Sequence, residues 1–85
     1  MGDSEDIKDK VFEIIRSVFA QPDLVVTENT TAADVAGWDS FNHMNLIMQV
    51  EEEFGVTFET EEIGKMGRVG ELVALVRNKR DALKR

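Results

Sequence analysis

Residues 37–56 read GWDSFNHMNLIMQVEEEFGV, and this stretch decides the fold. Leu46, Ile47, Val50 and Phe54 recur at helical spacing, which predicts a helix over residues 40–54 with one apolar face. Asp39 or Ser40 caps its start, and Gly55 supplies a stop at its end. Ser40, Met44 and Met48 fall four residues apart and share a second face. Glu51, Glu52 and Glu53 crowd the C-terminal end, where the helix dipole disfavours acids. That small cost makes contact with a partner worth weighing against a merely solvated run.

Upstream, residues 21–38 hold turn formers (Thr27, Asn29, Thr30, Thr31, Gly37) and no sustained period. So long a loop is usually functional or held down. Leu24, Val26, Val35 and Trp38 are its candidate anchors, and a short helical turn is expected near Thr31–Val35. Before the loop, Ile7, Val11, Ile14, Ile15 and Val18 predict a first helix over 4–20, with Ser4 as N-cap and Pro22 marking its end. Downstream, Val56-Thr57-Phe58 is β-prone, but one such piece makes no sheet. Thr60 is read as the cap of a short third helix at Glu61–Met66, loosened by Gly64, Gly67 and Gly70. A last helix follows near Val69–Leu83, with Val69, Leu72, Val73, Val76 and Leu83 on its apolar face. Arg77, Lys79, Arg80, Lys84 and Arg85 gather at its end, where cations suit the dipole. The expectation is a single all-α domain over residues 1–85: a small four-helix bundle with a long loop between helices 1 and 2 and a short third helix.

Composition agrees with one small domain. The 85 residues are 42% hydrophobic and 32% charged, with no cysteine and one histidine. Disulfides, thiolate metal sites and a cysteine nucleophile are therefore excluded. No apolar run approaches a membrane span. The acidic start through Asp6 resembles neither a secretory signal nor a myristoylation site, so a soluble, cytoplasmic monomer is expected. Net charge is −7, with 15 acids against 3 bases in residues 1–62 and 2 against 7 in residues 63–85. The negative body should repel nucleic acid and attract basic surfaces, but on charge alone the plainer reading is that acidity keeps a small protein soluble.

Catalysis finds little support. One histidine cannot make a His-X-X-X-His zinc pair, and neither a phosphate loop nor a calcium loop is present. Ser40, His43 and Asp39 could form a triad only on paper, because one helix start cannot also build a pocket and an oxyanion hole. What remains is a serine at a loop tip and at a helix N-terminus, reachable by another protein's active site. A phosphate ester there would meet free backbone N–H groups and the positive end of the dipole. On the dipeptide alone, a plain capping serine explains Ser40 as well.

The wider pattern, Asp39-Ser40-Phe41 through Glu51-Glu52-Glu53-Phe54-Gly55-Val56, resembles the acyl carrier protein family, where Asp-Ser-Leu opens a helix that ends in Glu-Glu-x-Phe-Gly-Ile. The order of helices agrees along essentially the whole chain. The resemblance implies a carrier and not an enzyme. A phosphopantetheinyl transferase would attach 4′-phosphopantetheine from coenzyme A to Ser40, beside Asp39, and an acyl group would ride on the arm as a thioester. Acyl-loading and acyl-processing enzymes of lipid, polyketide or related biosynthesis would be its partners. They would dock on the second helix at Phe41, Met44, Met48, Glu51 and Glu52. Methionines suit a surface that must fit several partners, and this role predicts that Met44 and Met48 are at least partly exposed.

The chain also departs from the family. Phe41 replaces leucine, and Asn42 and Asn45 stand where fatty-acid carriers commonly have acids. That points to a specialised carrier with dedicated partners. His43 is expected at the edge of the core. If the family's habit of sheltering acyl chains between helices holds here, Val26, Leu46, Val50, Ile63 and Met66 would line the space. Two other readings stay open: a peptidyl or aminoacyl carrier, such as a D-alanyl carrier, and an unmodified helical interaction module.

Overall fold

A computed structural model describes residues 3–83, with side chains for residues 6–82. Helix α1 spans Asp3–Val18, α2 Ser40–Phe54, α3 Thr60–Gly64 and α4 Val69–Leu83; a 3₁₀ turn covers Ala32–Asp34 in the long loop. No strand occurs among the described residues, and Val56 and Phe58 lie between α2 and α3, outside regular structure, with both side chains buried. None of these helices is long and apolar enough to cross a membrane.

The core forms where α1 packs on α2 and α4. Val11 and Ile15 from α1, Leu46, Ile47 and Val50 from α2, and Val69, Leu72, Val73 and Val76 from α4 are all nearly inaccessible. These are the residues the helical period selects. Phe19 is also buried, while Val18 is only half-buried. Lys84 and Arg85 lie outside the described residues, as does the side chain of Leu83.

Two helices depart from the sequence reading at both of their ends. Helix α1 starts at Asp3, so Ser4 lies inside it rather than at its cap, and it ends two residues early. The Gln21 N–H donates to the Arg16 carbonyl at 2.9 Å, the Ala20 N–H donates to the Ser17 carbonyl at 3.2 Å, and Ala20 turns left-handed at φ 55°. This is a Schellman closure with alanine where glycine is usual. Helix α3 begins at Thr60, not after it. The cap is Glu59, whose N–H donates to the Glu62 carboxylate at 2.8 Å, and the helix stops at Gly64 instead of Met66.

The long loop is strapped down at both edges. Val26 and Val35 are buried, and Leu24 and Trp38 pack against the core. Arg16 Nε donates to the Leu24 carbonyl at 2.8 Å. Thr30, the buried polar residue of the loop, accepts the Thr27 N–H on its hydroxyl at 2.9 Å. Opposite, Gly70 and Val69 donate their N–H groups to the carbonyls of Glu28 and Thr30 at 2.8 and 2.9 Å. Loop carbonyls thus satisfy orphan donors at the start of α4. The strap fixes where the loop's far end, Gly37–Asp39, meets α2.

Candidate functional site

Helix α2 begins at Ser40 because Asp39 supplies the cap. Asp39 Oδ1 accepts the Asn42 N–H at 2.9 Å, and the Asp39 carbonyl accepts the His43 N–H at 2.8 Å. With the capping bond made by Asp39, the exposed Ser40 hydroxyl stands beside the cap, not in it. The N–H groups of Ser40 and Phe41 belong to the first turn, which lacks helical acceptors, and face the end of the helix. A phosphate ester on Ser40 fits this setting: an exposed oxygen, open N–H donors and the positive end of a 15-residue helix.

Asn42 braces the approach to the serine. Its side-chain amide donates to the Gly37 carbonyl at 2.8 Å, where Gly37 takes a left-handed φ of 86°. An acid at position 42 could not donate this bond. The departure from an acidic residue therefore has a local structural use that the sequence did not reveal. Trp38 and His43 were also missed as a pair: the Trp38 indole N–H donates to His43 Nδ1 at 3.0 Å. Their spacing brackets the cap, and each is the sole residue of its type, which is the signal that could have joined them. His43 is half-buried at the core edge, as its helical position suggests.

The candidate docking residues separate into two kinds. Phe41 is 78% exposed, Met44 46% and Met48 56%, so an apolar stripe runs outward from Ser40 along α2. Glu52 is exposed beside it. Glu51 is half-buried, and its carboxylate accepts the Phe58 N–H at 2.8 Å, which holds the turn after α2. An internal bond therefore occupies one oxygen of Glu51.

One hollow adjoins the serine, and a second lies next to the first. The first is an open groove of about 450 Å³, bordered by Ala32, Trp38, Asp39, Ser40, His43 and Met44. The other is a cavity of only about 50 Å³, reaching in to Leu46, Met66, Val69 and Leu72. Of the residues expected to shelter a chain, Leu46 and Met66 border this cavity. Val26 and Val50 are instead packed in the core, with Ile63 against it.

The family model described as "Phosphopantetheine attachment site" matches residues 9–76. The chain is 33% identical to an acyl carrier protein of Thermotoga maritima over 93% of its own length and 98% of the relative's. It is 35% identical to an acyl carrier protein of Zymomonas mobilis over 74% of this chain and 80% of that one. Its fold matches the solution structure of a holo acyl carrier protein from Geobacter metallireducens with a TM-score of 0.86 and 36% identity, covering 92% of this chain and 90% of the other. The chain therefore belongs to the acyl carrier protein family, and it is a carrier with covalent phosphopantetheine as its prosthetic group, not an enzyme.

Proposed function

We propose that residues 1–85 act as one monomeric, cytoplasmic carrier domain that takes its arm on Ser40 and delivers acyl groups to biosynthetic enzymes. The observation that carries this reading is the exposed Ser40 hydroxyl at the start of α2, released from capping by Asp39 and followed by exposed Phe41, Met44 and Met48. When bound, 4′-phosphopantetheine supplies a thiol on a flexible tether, which holds the cargo as a thioester. The protein's own part is to present the serine, orient the first turn of α2 and offer a docking face.

The transferase would attach the arm by joining Ser40 Oγ to the phosphorus of the pantetheine phosphate as the diphosphate bond of coenzyme A breaks, with 3′,5′-ADP as the leaving group and a base taking the hydroxyl proton. Phe41, Met44 and Met48 give each visiting enzyme an adaptable apolar contact, and Glu52 gives it a charge to find. Asn42 and Asn45 lower the acidity of this face near the serine, which favours dedicated partners in lipid, polyketide or related assembly over general fatty acid synthesis.

Intact mass after incubation with coenzyme A, magnesium and a broad-specificity phosphopantetheinyl transferase tests the attachment. One added phosphopantetheine, absent from Ser40→Ala, is expected. An unchanged mass, beside a control carrier modified in the same tube, would remove the proposal and leave an interaction module. Loading the holo form with acyl and aminoacyl donors then separates acyl from aminoacyl cargo.

A further inference from the structure

Trp38 and His43 hold one another beside Ser40. The Trp38 indole N–H donates to His43 Nδ1 at 3.0 Å. The ring of buried Phe19 stands 5.1 Å from that of Trp38, centroid to centroid, and braces the indole from the end of α1. An indole nitrogen only donates, so Nδ1 accepts, and the neutral imidazole carries its proton on Nε2. The bond therefore selects the tautomer as well as the place of the ring. It also occupies the free lone pair of the imidazole, which leaves His43 nothing with which to take the Ser40 hydroxyl proton. What His43 can offer is an N–H. That donor has no hydrogen-bond partner among the described residues, and Nε2 is not buried.

His43 borders the open groove together with Ser40, Asp39 and Met44. It follows Ser40 by three residues, and helix side chains at that spacing are neighbours that lean back toward the N-terminus. Few other donors are at hand. In the turn after Ser40, Phe41 and Met44 have none, and the Asn42 amide already donates to the Gly37 carbonyl at 2.8 Å. No lysine or arginine occurs in α2, and Asp39 brings a carboxylate to the same groove. A phosphodiester on Ser40 would thus carry its charge beside another negative group. The donors left to it on this helix are the open backbone N–H groups of the first turn and the Nε2–H of His43. We infer that His43 Nε2–H, held in this tautomer by Trp38, donates to a phosphodiester oxygen of the arm on Ser40. His43 is then a binding residue for the prosthetic group, and Trp38 is a positioning residue that acts through it. A hydrogen bond to an ionised acceptor is among the stronger kinds, so it fixes the root of the arm and leaves the thiol end free to reach a partner.

This inference rests on Ser40 as the attachment point, which intact mass checks before anything else is measured; a protein that takes no arm fails at that step. The ring nitrogens of His43 are then followed by nitrogen–proton NMR in apo and holo protein, at a pH above the ordinary range of histidine, and the arm by phosphorus NMR. Apo protein should show Nε2 protonated and Nδ1 bare. Conversion to holo should keep that tautomer, move the Nε2 resonance and slow the exchange of its proton. The phosphorus resonance of the holo protein should shift in His43→Phe, which keeps a ring and removes the donor. It should shift in the same direction in Trp38→Phe, where the freed Nδ1 should also turn the ring into a mixture of tautomers. The apo–holo comparison needs the wild-type protein alone, so it decides even where a variant folds poorly. An Nε2 resonance unchanged between apo and holo would overturn the inference. So would an Nε2 resonance that moves while the phosphorus is indifferent to His43→Phe, since the acceptor would then be a later carbonyl of the arm. A Trp38→Phe protein that keeps the single tautomer would overturn the role of Trp38.

Discussion

The backbone N–H of Gly70 donates to the carbonyl of Glu28 at 2.8 Å, and a Cβ at Gly70 would lie 3.0 Å from that same oxygen and 3.2 Å from the Cβ of Glu28. Two effects oppose each other in Gly70→Ala. Alanine favours a helix by about 1 kcal/mol over glycine. Against this, the new methyl presses on backbone rather than on the tip of a flexible chain, and overpacking costs about 1–3 kcal/mol. We expect a net loss of about 1 kcal/mol, seen as a lower denaturant midpoint with an unchanged slope. A variant as stable as the wild-type protein would show that the loop yields freely at Glu28.

Ala20 offers the opposite case. It holds the left-handed position of the α1 closure at φ 55°, while α2 ends with Gly55 in the same region at φ 67°. Ala20→Gly should stabilise the protein by about 0.5–1 kcal/mol, because relief of the left-handed penalty exceeds the entropy that glycine adds to the unfolded chain. Gly55→Ala should cost a similar amount. Thermal unfolding of both variants checks the pair, and equal signs for the two changes would refute the argument.

The same contrast explains what the sequence could show. Gly55 marks a helix end by chemistry that only glycine provides cheaply, and the boundary of α2 was legible from it. Ala20 announces nothing, so the first helix read on toward Pro22. The apolar periods of α1, α2 and α4 were legible because burial selects one face of each. Loop anchors Val26 and Val35 were visible as apolar residues in a polar stretch. The strap from Glu28 and Thr30 to α4 was not, because main-chain hydrogen bonds leave no mark in side-chain type. At the site, Ser40 and Asp39 could be read from the motif. The bonds of Asn42 to Gly37 and of Trp38 to His43 depend on how the loop folds back, which spacing alone does not give.

Asp39 sets the start of α2 through its bond to the Asn42 N–H. Asp39→Ala should destabilise the protein by about 1 kcal/mol, and Asp39→Asn should recover most of that, since asparagine caps nearly as well. Amide exchange at Asn42 should quicken in the alanine variant and stay near wild-type in the asparagine one. Equal exchange in both variants would show that the charge, not the cap, is what matters.

Glu62 ties α3 to its own cap and to α4. Its carboxyl is held below the usual glutamate range, first by the Glu59 N–H and then by Lys79, whose ammonium sits 2.9 Å away; desolvation opposes them. A lowered value means that this contribution to stability is present above the ordinary glutamate range and is lost as pH falls through the folded value. A side-chain titration by NMR should find Glu62 below a peptide glutamate. Lys79→Met should return it only part of the way, because the Glu59 N–H remains. High salt should weaken the Lys79 share and spare the other. Full recovery of the ordinary value in Lys79→Met would reverse the ranking of causes.

Glu51 and Glu52 are neighbours in sequence with different duties. Glu51 accepts the Phe58 N–H at 2.8 Å in a half-buried setting, and Glu52 is exposed. Removing a charged acceptor from such a bond costs about 1.5–3 kcal/mol, whereas an exposed substitution usually stays within about 0.5 kcal/mol. Glu51→Ala should therefore lower the unfolding midpoint clearly, and Glu52→Ala should leave it in place. The difference governs how docking is tested. Weaker transfer with Glu51→Ala would mix a shifted α2–α3 turn with a lost contact. Weaker association with Glu52→Ala at unchanged stability would isolate the contact, and raising the salt concentration should then shrink the gap between that variant and the wild-type protein. A Glu52→Ala protein that binds partners as the wild-type does at every salt concentration would take Glu52 out of the docking face and leave Phe41, Met44 and Met48 to form it.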